Sequence, residues 1–318
     1  MTEEYQLTEE QVSEVLSELH SVLDLARWTM TQFNVSNIYF GHGTDNSWDE
    51  SLSLIAQVLQ LPQPVHGDFF TARLTTSEKL QIIELMLQRI RNRVPLAYLT
   101  GQAWFAGLPF YVDNRVLVPR SPFAELIADG FSSWMDAPPE HVLDMCTGSA
   151  CIAIACAYVF PEANIDAVDI STDALQVAEI NVGEHNLAHR VFPVQSDLFQ
   201  NLQGQEYDLI ICNPPYVDAE DMADMPEEFR HEPELGLAAG NYGLDLVDVI
   251  LKSAPQFLTD QGWLFVEVGN SLVHIPAVYP DLPVHWVNLE NGGDGIFAID
   301  KASLLTWNSQ QNNGEQNQ

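Results

Sequence analysis

The feature that most narrows the fold is the alternation of short apolar runs with helical stretches from residue 141 onward. HVLDM (141–145) leads into an apolar helix over 149–159, and IDAVDI (165–170) leads into a helix over 172–185. VFPVQSD (191–197) precedes DLIICNPPY (208–216), a helix is expected near 244–257, and WLFVEVG (263–269) follows. Short apolar runs bounded by turn residues read as buried strands. Strands that alternate with helices imply a mostly parallel sheet covered on both faces, with right-handed crossovers. Two late runs, VHWVNLE (284–290) and GIFAI (295–299), have no helix between them and predict an antiparallel hairpin at one edge. The expected fold class is therefore α/β and Rossmann-like.

The first 95 residues follow a different period. Val12, Val15, Leu16, Leu19, Val22 and Leu23 fall at helical spacing within 7–33, and Thr8 with Gln11 has the spacing of a capping box. Asn46, Ser47 or Asp49 can open a second helix over 51–61, which Pro62 and Pro64 end. A third is expected from Thr76 or Ser77 to Arg93, stopped by Pro95. Residues 1–95 thus read as a small all-helical domain, 96–119 as a β-hairpin or meander linker, and 120–307 as the α/β domain. The polar stretch 308–318 is expected to be disordered.

Composition excludes several functions. Among 318 residues, 12 are basic and 45 acidic, a formal net charge of -33. A surface that tracks nucleic-acid phosphates or anionic lipid needs clustered Lys and Arg. Stable nucleic-acid binding and membrane binding are therefore not expected, whereas a basic protein partner would be attracted. Cys146, Cys151, Cys156 and Cys212 match no disulfide framework and no metal-ligand spacing, so no metal site is expected. The polar, acidic start MTEEYQLTEEQ is unlike a secretory signal, and the apolar run 151–160 is far short of a bilayer span. These readings point to the cytoplasm.

In open α/β sheets, ligands sit outside the carboxyl ends of the strands. Three clusters fall there. Asp144-Met-Cys-Thr147-Gly148-Ser149 joins a strand to a helix, with Gly148 permitting close approach of backbone to a ligand and Thr147 or Ser149 able to cap. Asp169 ends the next strand, where an acid commonly accepts hydrogen bonds from a ribose diol. The dinucleotide fingerprint G-x-G-x-x-G is absent, which disfavours a dehydrogenase. Asp197 can accept from an adenine amino group or cap a helix. Last, Asn213-Pro214-Pro215-Tyr216 follows the buried strand. Two prolines fix that turn, so the Asn213 side-chain oxygen and the Pro214 carbonyl can converge on a planar NH2 group while Tyr216 covers it.

These residues resemble the class I S-adenosylmethionine-dependent methyltransferases that modify planar amides or amines through an (Asn/Asp)-Pro-Pro-Tyr motif. With LVPR (117–120), DMCTGS (144–149), VDIS (168–171), SDLF (196–199) and NPPY, the chain is similar to the protein-(glutamine-N5) methyltransferases. RHEPELGLAAG (230–240) and NGGDGIF (291–297) look like the branch acting on a large-subunit ribosomal protein. The resemblance implies a catalytic turn of Asn213, Pro214, Pro215 and Tyr216. It implies S-adenosyl-L-methionine as cofactor, held by Arg120, Asp144, Thr147, Gly148, Ser149, Asp169, Ile170, Asp197, Leu198 and Asn213. It implies a helical domain that recognises substrate and, as partner, the ribosomal protein carrying the target glutamine.

The family turn usually reads C-T-G-S-G, and Ala150 stands at its last glycine. A negative φ is expected there, because position 150 reads as the start of a helix. Between Val217 and Glu234 lie eight acids and one arginine, either a solvated loop or an acidic rim for a basic substrate. His42 and His231 read as structural or substrate-contacting. Three other readings are a release-factor glutamine methyltransferase, a DNA or RNA amino-methyltransferase, and a non-catalytic ribosome-assembly adaptor. The net charge of residues 101–318, 6 basic minus 32 acidic or -26, speaks against the nucleic-acid enzyme.

Overall fold

The computed structural model describes residues 5–218, 222, 224–237, 240, 242–290 and 292–315. The chain divides into two compact units, residues 1–103 with 226–231, and residues 104–225 with 232–318.

The first unit is helical: α1 (Glu9–Glu18), α2 (Val22–Val35), α3 (Ser47–Leu59), α4 (Thr76–Asn92) and α5 (Leu96–Thr100). Thr8 and Gln11 form the expected capping box. The helix expected over 7–33 is in fact two, because Leu19 turns to extended backbone and Ser21 opens a second capping box with Asp24. Asn46 caps α3 and Thr75 caps α4 with Glu78. Leu25, Phe33, Leu54, Ile82 and Met86 fill the core. α5 was not foreseen, since Pro95 stops α4 yet also stands at the N-cap of α5.

A buried ion cluster ties 226–231 into this unit. Arg89, 1% exposed, donates to Glu50 at 2.6 Å, to Glu228 at 3.2 Å and to the Tyr39 carbonyl at 2.6 Å. Glu228 also accepts from the Tyr39 amide at 2.9 Å, Phe229 packs on His42 and Tyr39, and His231 pairs with the Asn92 carbonyl at 2.9 Å. Both histidines thus have partners within the unit.

The expected hairpin follows, β1 (Gln102–Phe105) and β2 (Leu108–Tyr111). Val116–Val118 forms no strand; Val118 donates its amide to the Glu232 carboxylate at 3.0 Å instead. After helix α6 (Phe123–Ala128), seven strands follow: β3 (His141–Met145), β4 (Asn164–Asp169), β5 (Val191–Gln195), β6 (Tyr207–Cys212), β7 (Leu258–Glu267), β8 (His285–Trp286) and β9 (Ile296–Asp300). Their order is β5-β4-β3-β6-β7-β9-β8. The first five pair in parallel, whereas β9 runs antiparallel to both β7 and β8, as the late hairpin predicts.

Alternation along the strands buries both faces. Leu209 and Ile211 of β6 join one cluster with Val142, Phe265 and Ile152, the last from helix α7 (Cys151–Val159). Ile210 and Cys212 join the other, with Val247 and Ile250 of helix Asp245–Ser253. The stretch expected to be a disordered tail is helical from Lys301 to Glu315, and residues 316–318 lie outside the described residues. Its first turns bury Leu304 and Trp307 in the second cluster, so packing overrides the polar composition of the turns that follow. Among the described residues, no helix is long and apolar enough to cross a membrane.

Candidate active site

Strand order reverses between β3 and β6, and the crevice outside the carboxyl ends of those strands is where a doubly wound sheet takes its ligand. The β3 end carries Asp144 and the β6 end carries Asn213. Backbone hydrogen bonds stitch neighbouring turns there: Thr147 donates to the Val168 carbonyl at 2.9 Å, and Ser196 to that of Asp169 at 3.0 Å.

The β3 turn is tightly wound. Cys146, Gly148 and Ala150 all have left-handed φ, +62, +55 and +62°. Ala150 therefore departs from the expected negative φ. It is the N-cap of α7, a position just outside the helix, where backbone need not be helical. A side chain added at Gly148 would meet no atom within 4 Å, so open space faces this backbone. Asp144 is buried, with Oδ2 accepting from Thr147 Oγ1 and from the Ala153 amide at 3.0 Å. Among the described residues its Oδ1 has no partner, and burial, helped by Asp169, pushes the carboxyl up to about 7. An unpaired buried carboxylate oxygen suits a cationic amino group. Ser149 is buried, its carbonyl accepting from Asn181 of helix α8 (Thr172–Glu184) at 2.9 Å, a support the sequence reading missed.

Asp169 accepts from the Gly148 amide at 2.9 Å through Oδ2 and from the Ser171 amide at 2.9 Å through Oδ1. Burial raises its pKa despite these bonds. Ile170 beside it is half exposed, an apolar face at the mouth of the crevice. Asp197 is exposed, accepting from Gln200 at 2.7 Å, and Leu198 next to it takes a left-handed φ of +47°. The residues present thus fit an S-adenosylmethionine-like ligand: an unpaired acid, an open glycine turn and a second acid held in place by that turn.

The second half of the site is the NPPY turn. Cys212, the last residue of β6, pairs with Val266, so the turn leaves its strand next to the end of β7 that carries Glu267. Among the described residues, neither the Asn213 side chain nor the Pro214 carbonyl takes part in a hydrogen bond. Tyr216 is held on several sides. Its hydroxyl donates to Glu267 Oε1 at 3.1 Å and its carbonyl accepts from Ser271 at 2.9 Å. A Cβ at Gly243 would lie 2.1 Å from the Tyr216 carbonyl oxygen, and one at Gly269 would lie 2.5 Å from the Tyr216 ring. Both glycines have left-handed φ and admit no side chain.

Glu267, Ser121 and Ser271 were not anticipated from sequence. The available signal was one acid at the carboxyl end of the apolar strand WLFVEVG. Arg120, expected at the cofactor, is held by both oxygens of Glu232 at 2.5 and 2.7 Å. Two of the eight acids read as a rim, Glu228 and Glu232, are buried and ion-paired, while Glu220 and Asp221 lie outside the described residues. Asp224, Glu227 and Glu234 are exposed. Three of the four cysteines are buried, all four are free, and no group able to hold a metal occurs among the described residues.

The family model described as Methyltransferase small domain matches residues 129–233, which include the β3 turn, Asp169 and the NPPY turn. The ribosomal protein uL3 glutamine methyltransferase of Francisella tularensis subsp. tularensis is 43% identical over 302 residues, covering 94% of this chain and 96% of that protein. That of Bordetella pertussis is 44% identical over 291 residues, covering 91% and 98%. Likeness of this degree across nearly the full length of both proteins establishes descent, and the chain belongs to the family of ribosomal protein uL3 glutamine methyltransferases.

Proposed function

We propose that this protein methylates the side-chain amide nitrogen of a glutamine in large-subunit ribosomal protein uL3, in the cytoplasm. The observation that carries the reading is the pair of acceptors at Asn213 and Pro214, unpartnered among the described residues at the end of β6 and backed by a fixed Tyr216. A primary amide is planar and offers two N–H donors, which two convergent acceptors match. Its nitrogen is a weak nucleophile because its lone pair is delocalised into the carbonyl. S-adenosylmethionine, when bound, supplies a methyl group on a positively charged sulfur.

The chain's own residues do the rest. Asn213 and the Pro214 carbonyl accept both N–H bonds and fix the nitrogen's direction, and positioning of this kind lowers a barrier by on the order of several kcal/mol. The same acceptors strengthen as the N–H groups grow acidic during bond formation. Tyr216 covers the flat face. Asp144, Thr147, Gly148 and Ser149 hold the amino-acid part of the cofactor, Asp169 and Ile170 its ribose, and Asp197 and Leu198 its adenine. The helical unit docks the substrate protein, and exposed acids such as Asp224 and Glu227 favour a basic one.

Incubation with labelled S-adenosylmethionine, purified unmethylated uL3, a release factor and DNA tests the assignment. Label entering uL3 supports it. Label in the release factor alone, in DNA alone, or in none of them despite cofactor binding contradicts it.

A further inference from the structure

We propose that Glu267 is a positioning residue for the transfer, fixing the Tyr216 ring against the amide through its hydrogen bond to the Tyr216 hydroxyl. The inference rests on the amide-clamp reading above and extends it to a residue outside the NPPY turn.

Glu267 is the last residue of β7, one step past the Val266 that pairs with Cys212, and only 3% exposed. One carboxylate oxygen accepts from Tyr216 at 3.1 Å and the other from Ser121 Oγ at 2.5 Å. Both partners are neutral donors; burial raises the carboxyl's pKa, opposed in part by these two hydrogen bonds and by the charge of Arg120. Burying a carboxylate without a direct ion pair is costly, and an apolar residue would serve the sheet better at that position. What the acid does is grip two segments: the Ser121 hydroxyl, which also accepts from the Phe123 amide at 3.2 Å, and the Tyr216 ring tip.

The rest of Tyr216 is already fixed by Ser271 and by the glycine contacts. The phenol hydroxyl is the remaining free end, and Glu267 holds it. A ring anchored at both ends gives the amide one surface to lie on, and its plane then sets which lobe of the nitrogen faces the methyl donor.

The test is a two-residue cycle, Glu267→Leu, Tyr216→Phe and the double variant, with Glu267→Gln as the conservative control. Steady-state kcat and KM are measured on uL3, with thermal melting to verify folding. Each single variant is expected to lower kcat about tenfold, with the KM for S-adenosylmethionine within about twofold of wild type. The double variant should fall no more than about twofold below the worse single, because both remove the same bond. Glu267→Gln, which keeps an acceptor for the hydroxyl, should regain several-fold of the loss. Independent, multiplying losses, or a Glu267→Leu effect confined to melting and cofactor KM, would overturn the proposal. If Glu267→Leu does not fold, a Tyr216→Phe enzyme with unchanged kcat overturns it equally. Asn213→Ala is measured in parallel. Near-normal kcat there contradicts the amide clamp itself, whereas loss there with no coupling between residues 216 and 267 contradicts only this inference.

Discussion

The Gly148 amide donates to the Asp169 carboxylate at 2.9 Å, so the acid that ends β4 also holds the turn that follows β3. One oxygen is committed to that turn and the other to the Ser171 amide. Asp169 therefore couples the geometry of the two turns proposed to hold the cofactor.

Asp169→Ala is accordingly expected to do two things. Cofactor affinity should fall by about tenfold or more, the scale of a lost charge-assisted hydrogen bond, and stability should drop by about 1–3 kcal/mol as the Gly148 amide loses its partner. Calorimetric titration with S-adenosylmethionine and denaturant unfolding report the two effects separately.

Ala150 sits at φ +62° with its methyl fully buried. Relief of left-handed strain is worth about 1–2 kcal/mol, and it is opposed by about 0.8 kcal/mol of lost methyl burial and the added freedom of an unfolded glycine. Ala150→Gly should thus change stability by less than about 1 kcal/mol and leave cofactor affinity within about twofold. Ala150→Val adds a β-branched side chain to the same conformation and should cost more than about 2 kcal/mol. Unfolding midpoints of the two variants decide it.

How much of this was legible before the structure depends on the range of the forces involved. Strand periodicity and the capping box at Thr8 are local, and they sit in the structure where the sequence places them, as does the 213–216 turn directly after β6. The break at Leu19 was missed although Ser21 and Asp24 repeat the spacing of Thr8 and Gln11, because the apolar helical period runs across it. The helix from Lys301 to Glu315 depends on Leu304 and Trp307 finding a distant core. The partners of Glu228, Glu232 and Glu267 lie 139, 112 and 146 residues away for Arg89, Arg120 and Ser121. No spacing rule reaches that far, so two acids that read as a rim turned out to be internal ties.

Asp144 offers a pH test. Burial holds its carboxyl at about 7 in the folded chain, against about 3.9 unfolded, so the folded state binds the proton more tightly. Its contribution to stability is present below about pH 4 and is lost as pH rises through about 7. Wild type should therefore lose stability relative to Asp144→Asn across that window and change little above it. Saturating S-adenosylmethionine, with its cationic amino group, should flatten the slope. Equilibrium unfolding between pH 4 and 9, with and without cofactor, reads the sign directly.

Arg89 tests the second kind of burial. It lies between Glu50 and Glu228, which are 3% and 2% exposed. Arg89→Ala leaves Glu50 without its guanidinium and Glu228 with only Arg93 at 3.7 Å, and a loss of about 3–5 kcal/mol is expected. Replacing all three with uncharged residues of similar size should recover much of that loss, as denaturant midpoints would show.

The most direct test of the central claim is where the methyl group goes. Unmethylated uL3 is incubated with the enzyme and S-adenosylmethionine, digested, and sequenced by tandem mass spectrometry, with Asn213→Ala alongside. The amide clamp predicts one added methyl group on a glutamine side-chain nitrogen with wild type and almost none with Asn213→Ala. A methyl group on lysine, arginine or a chain terminus, or undiminished glutamine methylation by Asn213→Ala, would contradict it.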